Sequence, residues 1–353
     1  MTADLPSSSG FSASVPSVPS AASRAEVDRP PAGGSSAVAA SFPAGSGARP
    51  SGEPGAEPGP AARLRRALAS LRGLSVGDAL GSQFSVPVNL PLLGRRELPG
   101  APWQWTDDTQ MACSVLAVLA GHRRVDQEAL AASFARHHDA DRGYGPAVNR
   151  LLRQVREGGD WRTLAGDLFH GQGSWGNGAS MRIAPVGAWY ADDPEQATHQ
   201  AEVSAYITHQ HPEAVAGAMA VAAAAALAAA PGGPPAPGEL LDAVIALLPR
   251  GSVTAGLGRA RDMLDHDDPA TVAAVLGCGR QTSAQDTVPF ALWSAARGLG
   301  DFEGAFWATA QVGGDVDTNC AIVGGIVAAG GAAPPGAWLA RTEPLPEWVP
   351  TGA

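Results

Sequence analysis

The chain of 353 residues contains no lysine, and all 24 of its basic residues are arginine. That absence excludes a phosphate-loop Lys, a Schiff-base Lys and a Lys general base. Cysteine is nearly missing too. Cys113, Cys278 and Cys320 form no close pair, so they make neither a disulfide framework nor a CxxC metal site. The longest apolar run, Ala214 to Ala230, is dominated by Ala and contains Gly217, too weak for a membrane span. The opening MTADLPSSSG has no basic n-region and no apolar h-region, so no secretory signal is read and a cytoplasmic location is expected. With 34 acidic residues the net charge is −10, which argues against a nucleic-acid backbone as the main partner.

Glycine (44) and proline (30) are plentiful, and they crowd the first sixty positions together with Ser and Ala. Phe11 and Phe42 are the only aromatics there. Such a segment cannot bury enough apolar surface to offset its ordering entropy, so residues 1–60 read as a disordered tail. The remainder reads as one all-α domain over 61–340, a multi-helix bundle of ten or more helices, with a short C-terminal tail at 341–353. Leu64, Leu68 and Leu71 open the helical period. Further helices are expected over 107–120, 126–138, 145–157, 181–190, 213–230, 239–248, 254–264, 288–297, 303–312 and 317–329. Pro87 to Pro102 reads as a loop. No period-two alternation marks a strand, and no fixed repeat is present. A monomer is the simplest expectation.

Two acidic clusters stand where helices should begin. One is Trp105-Thr106-Asp107-Asp108-Thr109, before the apolar run MACSVLAVLAG; the other is Gly313-Gly314-Asp315-Val316-Asp317-Thr318, before CAIVGGIVAAGGA. Each alone is explained by helix capping and the helix dipole. Together they are a different matter, because the helices they introduce are apolar and must be buried. Several carboxylates buried in one place need cations, and this set of Asp and Thr oxygens suits hard divalent ions such as Mg²⁺ or Mn²⁺. An EF-hand starting at Asp315 fails: its sixth position is Cys320 rather than Gly, and its twelfth is Ile326 rather than Glu.

Between the clusters lies Gly171-Gln-Gly-Ser-Trp-Gly-Asn-Gly-Ala179, a glycine-rich loop suited to cradling phosphate with backbone N–H groups. Ser174 and Asn177 add side-chain donors, and Trp175 offers a ring for stacking. His209 and His211 alternate, so they cannot share a helix face as a zinc pair would.

GDALG (Gly77 to Gly81), WTDDT (Trp105 to Thr109), GNGASMR (Gly176 to Arg182), TH (Thr208–His209) and GGDVDT (Gly313 to Thr318) occur in one order. That series resembles the ADP-ribosylglycohydrolase family over about residues 64–332. The resemblance implies an all-α fold, two Mg²⁺ (or Mn²⁺) ions, and removal of ADP-ribose from modified proteins or small molecules. It implies Thr106, Asp107, Asp108, Asp315, Asp317 and Thr318 as metal ligands. It puts Gly173, Ser174, Trp175, Gly176, Asn177 and Gly178 at the diphosphate and adjoining ribose, with His209 beside them. Asp141, Gly143 and Tyr144 resemble the family's loop at the distal ribose, with Asp141, Asp108 and Asp315 as catalytic candidates. Asp78 reads as structural, bonding neighbouring backbone. One departure stands out: where family members usually carry a Glu, seven residues after the Asp of GDALG, this chain has Ser85. That leaves Asp141 or a metal-bound hydroxide as base, or else a non-catalytic ADP-ribose-binding member of the same fold.

Overall fold

The structure, a computed structural model, describes residues 59–351. The tail expected over 1–60 lies outside the described residues up to position 58, while Gly59 and Pro60 cap and begin the first helix. Among the described residues there are seventeen α-helices and no strand beyond two isolated bridges.

The sequence explains most helix starts. Asp126, Asp160, Asp193, Asp268 and Asp301 each accept a backbone N–H of the next turn, satisfying donors a helix leaves free. Proline, whose missing N–H costs nothing at a first turn, opens several others. In chain order, α1 (Pro60–Ser82) leads to α2 (Leu90–Arg95), α3 (Asp107–His122), α4 (Gln127–His137) and α5 (Pro146–Arg156). Short α6 (Trp161–Gly166) and α7 (Leu168–Gly171) precede the glycine-rich loop, then come α8 (Ala184–Trp189), α9 (Pro194–Ala205) and α10 (Pro212–Ala228). The last third holds α11 (Pro237–Ala246), α12 (Ser252–Asp262), α13 (Pro269–Leu276), α14 (Ala284–Gly298), α15 (Phe302–Ala310), α16 (Val316–Ala329) and α17 (Gly336–Leu339).

Three differences from the sequence reading have a common cause. The expected loop at 87–102 contains α2, and α9 and α13 form where periodicity predicts no helix. Each has Pro in its first turn, and in α9 and α13 it comes directly after a capping Asp. The proline there starts a helix rather than breaking one.

The centre of the core is the crossing of α1 and α16. Gly73, Gly77 and Gly81, spaced by four on one face of α1, leave no room for a side chain. A Cβ on Gly77 would land on the carbonyl of Cys320, one on Gly73 on the carbonyl of Gly324, and one on Gly81 against Val316 and Asp317. The two backbones are therefore in contact, and the crossing holds Asp78 beside Asp317 at the start of α16. Around it α10 is buried along nearly its whole length; Ala222 through Ala226 are fully buried. Small side chains let α8 approach equally closely, since a Cβ on Gly187 would strike the Ala222 carbonyl.

Residues 341–351, expected as part of a tail, instead strap the body. Trp103 and Thr342 form a bridge, with Trp103 N donating to the Arg341 carbonyl at 2.7 Å and Glu343 N to the Trp103 carbonyl at 2.8 Å. Arg142 donates two bonds to the Glu343 carboxylate, at 2.7 and 2.8 Å, and its guanidinium lies 3.7 Å from the Trp105 ring centroid. Trp348 stacks on His137 with centroids 3.9 Å apart, and Val349 is buried. Aromatic area and a bidentate ion pair hold the segment down where composition alone suggested nothing.

In an open helix, Gly→Ala gains about 0.5–1 kcal/mol. Gly77→Ala is expected to destabilise by about 1–3 kcal/mol instead, through overpacking against α16. Gly94→Ala in α2, where nothing stands within 4 Å of the added Cβ, serves as the control. Urea denaturation reads both; a Gly77→Ala midpoint at or above wild type would mean that the two backbones do not touch.

Candidate active site

Asp78, fully buried in α1, is the hub on which the first acidic cluster is folded. Its Oδ2 accepts from Thr106 N at 2.9 Å and Thr109 N at 3.1 Å, and its Oδ1 accepts from the Thr106 hydroxyl at 2.8 Å. The Thr109 hydroxyl also donates to it. These bonds seize the N-terminal turn of α3 and fix where Asp107 and Asp108 start. Burial, opposed by the threonine hydrogen bonds and aided by the nearby Asp317, pushes the Asp78 carboxyl up to about 7. The reading of Asp78 as a structural group fits this geometry.

Asp107, Asp108, Asp315, Asp317 and Thr318 all line one cavity of about 510 Å³. Burial raises Asp107 and Asp108 well above the usual carboxylate range, and the other aspartates add to it. Burial and Asp317 bring Asp315 to about 8. Thr106 stands behind this group: its hydroxyl is spent on Asp78 and on the Asp108 N–H, and it does not line the cavity.

The second wall is the glycine-rich loop. It is sewn to the start of α14 by Asn177 N donating to the Thr282 carbonyl at 3.1 Å and Ala284 N to the Trp175 carbonyl at 3.0 Å. The Ser174 hydroxyl accepts from Gly176 N at 3.2 Å. Ser174, Trp175, Gly176, Asn177 and Gly178 line the cavity, whereas Gly173 lies behind, packed on Gln210 and His211 at φ +72°. Asn177 joins loop and acidic cluster directly: its Nδ2 donates to Asp315 Oδ2 at 2.6 Å and to the Thr287 hydroxyl at 3.0 Å.

His209 is buried with its imidazole against Gly176 and Gly178, whose added Cβ atoms would lie 3.2 and 3.0 Å from Nε2. Burial, with Arg182 adding to it, depresses this histidine to about 3. It is neutral across the physiological range.

The third wall is Gly143, Gly145, Pro146, Ala147 and Val148. The added Cβ of Gly143 would sit 3.6 Å from Asp107 Oδ1, which fixes this loop beside the acidic cluster. Its neighbours fare differently. Tyr144 is buried behind the wall, donating to Gln110 Oε1 at 2.8 Å, and does not line the cavity. Asp141 is exposed on the Ala140–Arg142 turn, where its N–H is bonded to Asp139 Oδ1 at 3.1 Å, and it does not line the cavity either. Ser85 is likewise exposed and outside. The direct substrate roles expected of Asp141 and Tyr144 therefore lack a geometric basis.

Sequence reading misses Phe169. Its ring lies 4.8 Å from that of Trp175, tilted by 40°, and both are partly exposed at the cavity. Phe169 and His170 have φ of +53° and +60°, a strained conformation for residues with side chains. Nothing in the local sequence marks that. Met111, Met181, Gln281 and Thr282 complete the lining.

Among the described residues, no three carboxylate, histidine or cysteine side chains are already closed into a metal cage. The donor set nonetheless suits divalent cations. Asp108 Oδ2 is buried without a hydrogen-bond partner, and hard oxygens from Asp107, Asp315, Asp317 and Thr318 share its cavity with no cationic side chain among the lining residues.

The ADP-ribosylglycohydrolase family matches residues 59–351. Similar proteins include an uncharacterized protein of Archaeoglobus fulgidus, 31% identical over 76% of this chain and 88% of that one. ADP-ribosylhydrolase ARH3 of Gallus gallus is 32% identical over 45% of this chain and 48% of its own. The ADP-ribosyl-[dinitrogen reductase] glycohydrolase of Rhodospirillum rubrum is 28% identical over 44% and 55%. The chain thus matches about half the length of these two named hydrolases. A solved ADP-ribosylglycohydrolase-related protein complex superposes with a TM-score of 0.52 at 28% identity, over 80% of this chain and 93% of that one. With the family matched across the whole described body and its all-α architecture present, the chain belongs to the ADP-ribosylglycohydrolase family.

Proposed function

We propose that this protein is a hydrolase that releases ADP-ribose from a modified protein or small molecule, by cleaving the bond at C1″ of the distal ribose. The observation that carries the reading is the meeting of three walls in one cavity, with Asn177 bonded to Asp315 across two of them. An elongated ligand with a planar ring, a diphosphate and a polyhydroxylated sugar has a counterpart for each part. Phe169 and Trp175 offer the ring a platform. Glycine-loop N–H groups and the His209 imidazole face the diphosphate. The acidic cluster lies farther along, at the reacting sugar.

Asp107, Asp108, Asp315, Asp317 and Thr318 would hold two divalent cations, Mg²⁺ or Mn²⁺. Bound there, the ions supply positive charge that orients ribose hydroxyls and opposes the repulsion among the carboxylates. The protein's own share is positional. Diphosphate contacts remote from C1″ fix the sugar in register, and the Gly143–Val148 wall shields it from bulk water. The bond from C1″ to the acceptor breaks through an oxocarbenium-like state, which nearby carboxylates favour electrostatically. A water oxygen bonds to C1″ and gives up one proton, and the departing acceptor gains one. Proton transfer falls to Asp108 and Asp315, which line the cavity, rather than to Asp141, which does not. Convergence of the carboxylates favours turnover over an inert binding protein, despite Ser85.

With Mg²⁺ and an ADP-ribosylated substrate, chromatography should detect free ADP-ribose, and EDTA should abolish its release reversibly. Asp317→Asn is expected to lower kcat by about 10²-fold or more, and Asp141→Asn by less than about threefold. Tight ADP-ribose binding with no product from any substrate would establish the inert alternative; neither binding nor product would overturn the reading.

The raised carboxyls also set a pH dependence. In the folded protein Asp78, Asp107, Asp108 and Asp315 keep protons that the unfolded chain has released. The stability from this source is full below the unfolded carboxyl range near pH 4 and is lost as pH rises through about 7 to 8. His209 works in the opposite sense, but only below its unfolded value near 6.5. In EDTA the melting temperature should therefore fall between about pH 6.5 and 8.5, and Mg²⁺ should raise it most at the alkaline end. Differential scanning calorimetry reads both trends; a flat, Mg²⁺-insensitive profile would contradict them.

A further inference from the structure

Among the described residues Arg182 is the one fully buried arginine, and no carboxylate pairs with it. A charge in that position is costly unless something depends on it. Its Nη1 donates to the Gly178 carbonyl at 3.2 Å and to the Thr208 hydroxyl at 3.0 Å; its Nη2 donates to the Ser204 carbonyl at 3.0 Å. Its guanidinium lies 4.7 Å from the Phe134 ring centroid. Two of these partners belong to the cavity machinery: Gly178 ends the glycine-rich loop, and Thr208 precedes His209.

The Thr208 hydroxyl oxygen stands 2.7 Å from His209 Nδ1. Which of the two carries the proton is decided by a count of donors. Arginine can only donate, so the Thr208 oxygen accepts from Arg182. Thr208 is fully buried, and His209 Nδ1 is the only acceptor its hydroxyl proton meets among the described residues. Were Nδ1 itself protonated, the hydroxyl proton would be left buried without a partner, an arrangement that folded proteins avoid. The proton therefore runs from Thr208 to Nδ1, and the histidine's own N–H is at Nε2. That atom makes no hydrogen bond to protein among the described residues, lies against Gly176 and Gly178, and belongs to a cavity-lining side chain.

We propose that Arg182 and Thr208 are positioning residues that lock His209 in its Nε2–H tautomer and aim one neutral donor at the ligand's diphosphate. The arrangement rests on the ADP-ribose reading for its ligand, but not for its tautomer. It serves two ends at once. The same guanidinium that orders the donor also grips the Gly178 carbonyl, so loop and imidazole keep a fixed separation. It also supplies a donor without an imidazolium, leaving a site next to four carboxylates free of a titrating cation.

The test uses full-length protein labelled with ¹⁵N-histidine, with the His209 signals assigned from His209→Gln. Wild type should show the Nε2–H pattern, with Nδ1 unprotonated, in the absence of any ligand. Thr208→Val keeps the shape but removes the hydroxyl; it should shift His209 toward the Nδ1–H form and weaken ADP-ribose binding by about tenfold in calorimetry. Thr208→Ser should restore both. Arg182→Lys, which keeps the charge but not the fork, should fall between them. An Nδ1–H pattern in wild type overturns the inference, as does a Thr208→Val protein with unaltered His209 signals. A lost affinity that Thr208→Ser fails to restore, with His209 signals back to wild type, would also count against it. Should wild type bind no ADP-ribose, the functional reading fails while the tautomer measurement still decides the relay.

Discussion

Contact between the backbones of α1 and α16 is the constraint that builds the site. Three glycines spaced by four let the helices touch, and every later feature is hung on that contact. It brings Asp78 of one helix beside Asp317 of the other. Asp78 then takes hold of Thr106 and Thr109, so the first turn of α3 is delivered to the first turn of α16. Neither acidic cluster could be placed by its own local sequence. A Cβ at Gly77 or Gly81 would separate the helices and the two halves of the site with them.

Burying several carboxylates together is unfavourable, and the fold meets that cost in two ways. Asp78 is satisfied internally by hydroxyl and N–H donors, at the expense of a carboxyl that holds its proton to about pH 7. The others face the cavity, where Asn177 serves Asp315 and Asp108 retains an unpartnered oxygen. On the opposite side, buried Arg182 reaches the site through neutral groups, the Gly178 carbonyl and Thr208 with His209. The charge distribution is thus graded, acidic where α3 and α16 begin and neutral at the glycine-rich loop.

Much of this was legible in the sequence because helix caps and glycine loops are written locally. The Asp-Asp pairs before apolar runs located both acidic helix starts, and the order of the five motifs gave the family. What was not legible depends on tertiary placement. Asp141 and Tyr144 sit beside Gly143 in sequence, yet only Gly143 reaches the cavity, because the turn presents its residues in succession to solvent, cavity and core. Phe169 reaches it through a left-handed backbone that no composition signals. The prolines of α9 and α13 were ambiguous, since the same residue can end one helix or begin the next. The spacing of Gly73, Gly77 and Gly81 is plain in the sequence; its meaning needed the partner helix.

The strap formed by residues 341–351 has a consequence for synthesis on the ribosome. Arg142 leaves the ribosome 201 residues ahead of Glu343, the carboxylate that holds it on the cavity's flank. The glycine face of α1 waits longer still for α16. Such non-local pairing cannot form while the later partner is missing, and it slows folding relative to a bundle of sequential hairpins. The cavity is consequently assembled only once α16 has emerged. A nascent chain halted before that helix would carry the first acidic motif and the glycine-rich loop with nothing to bring them together.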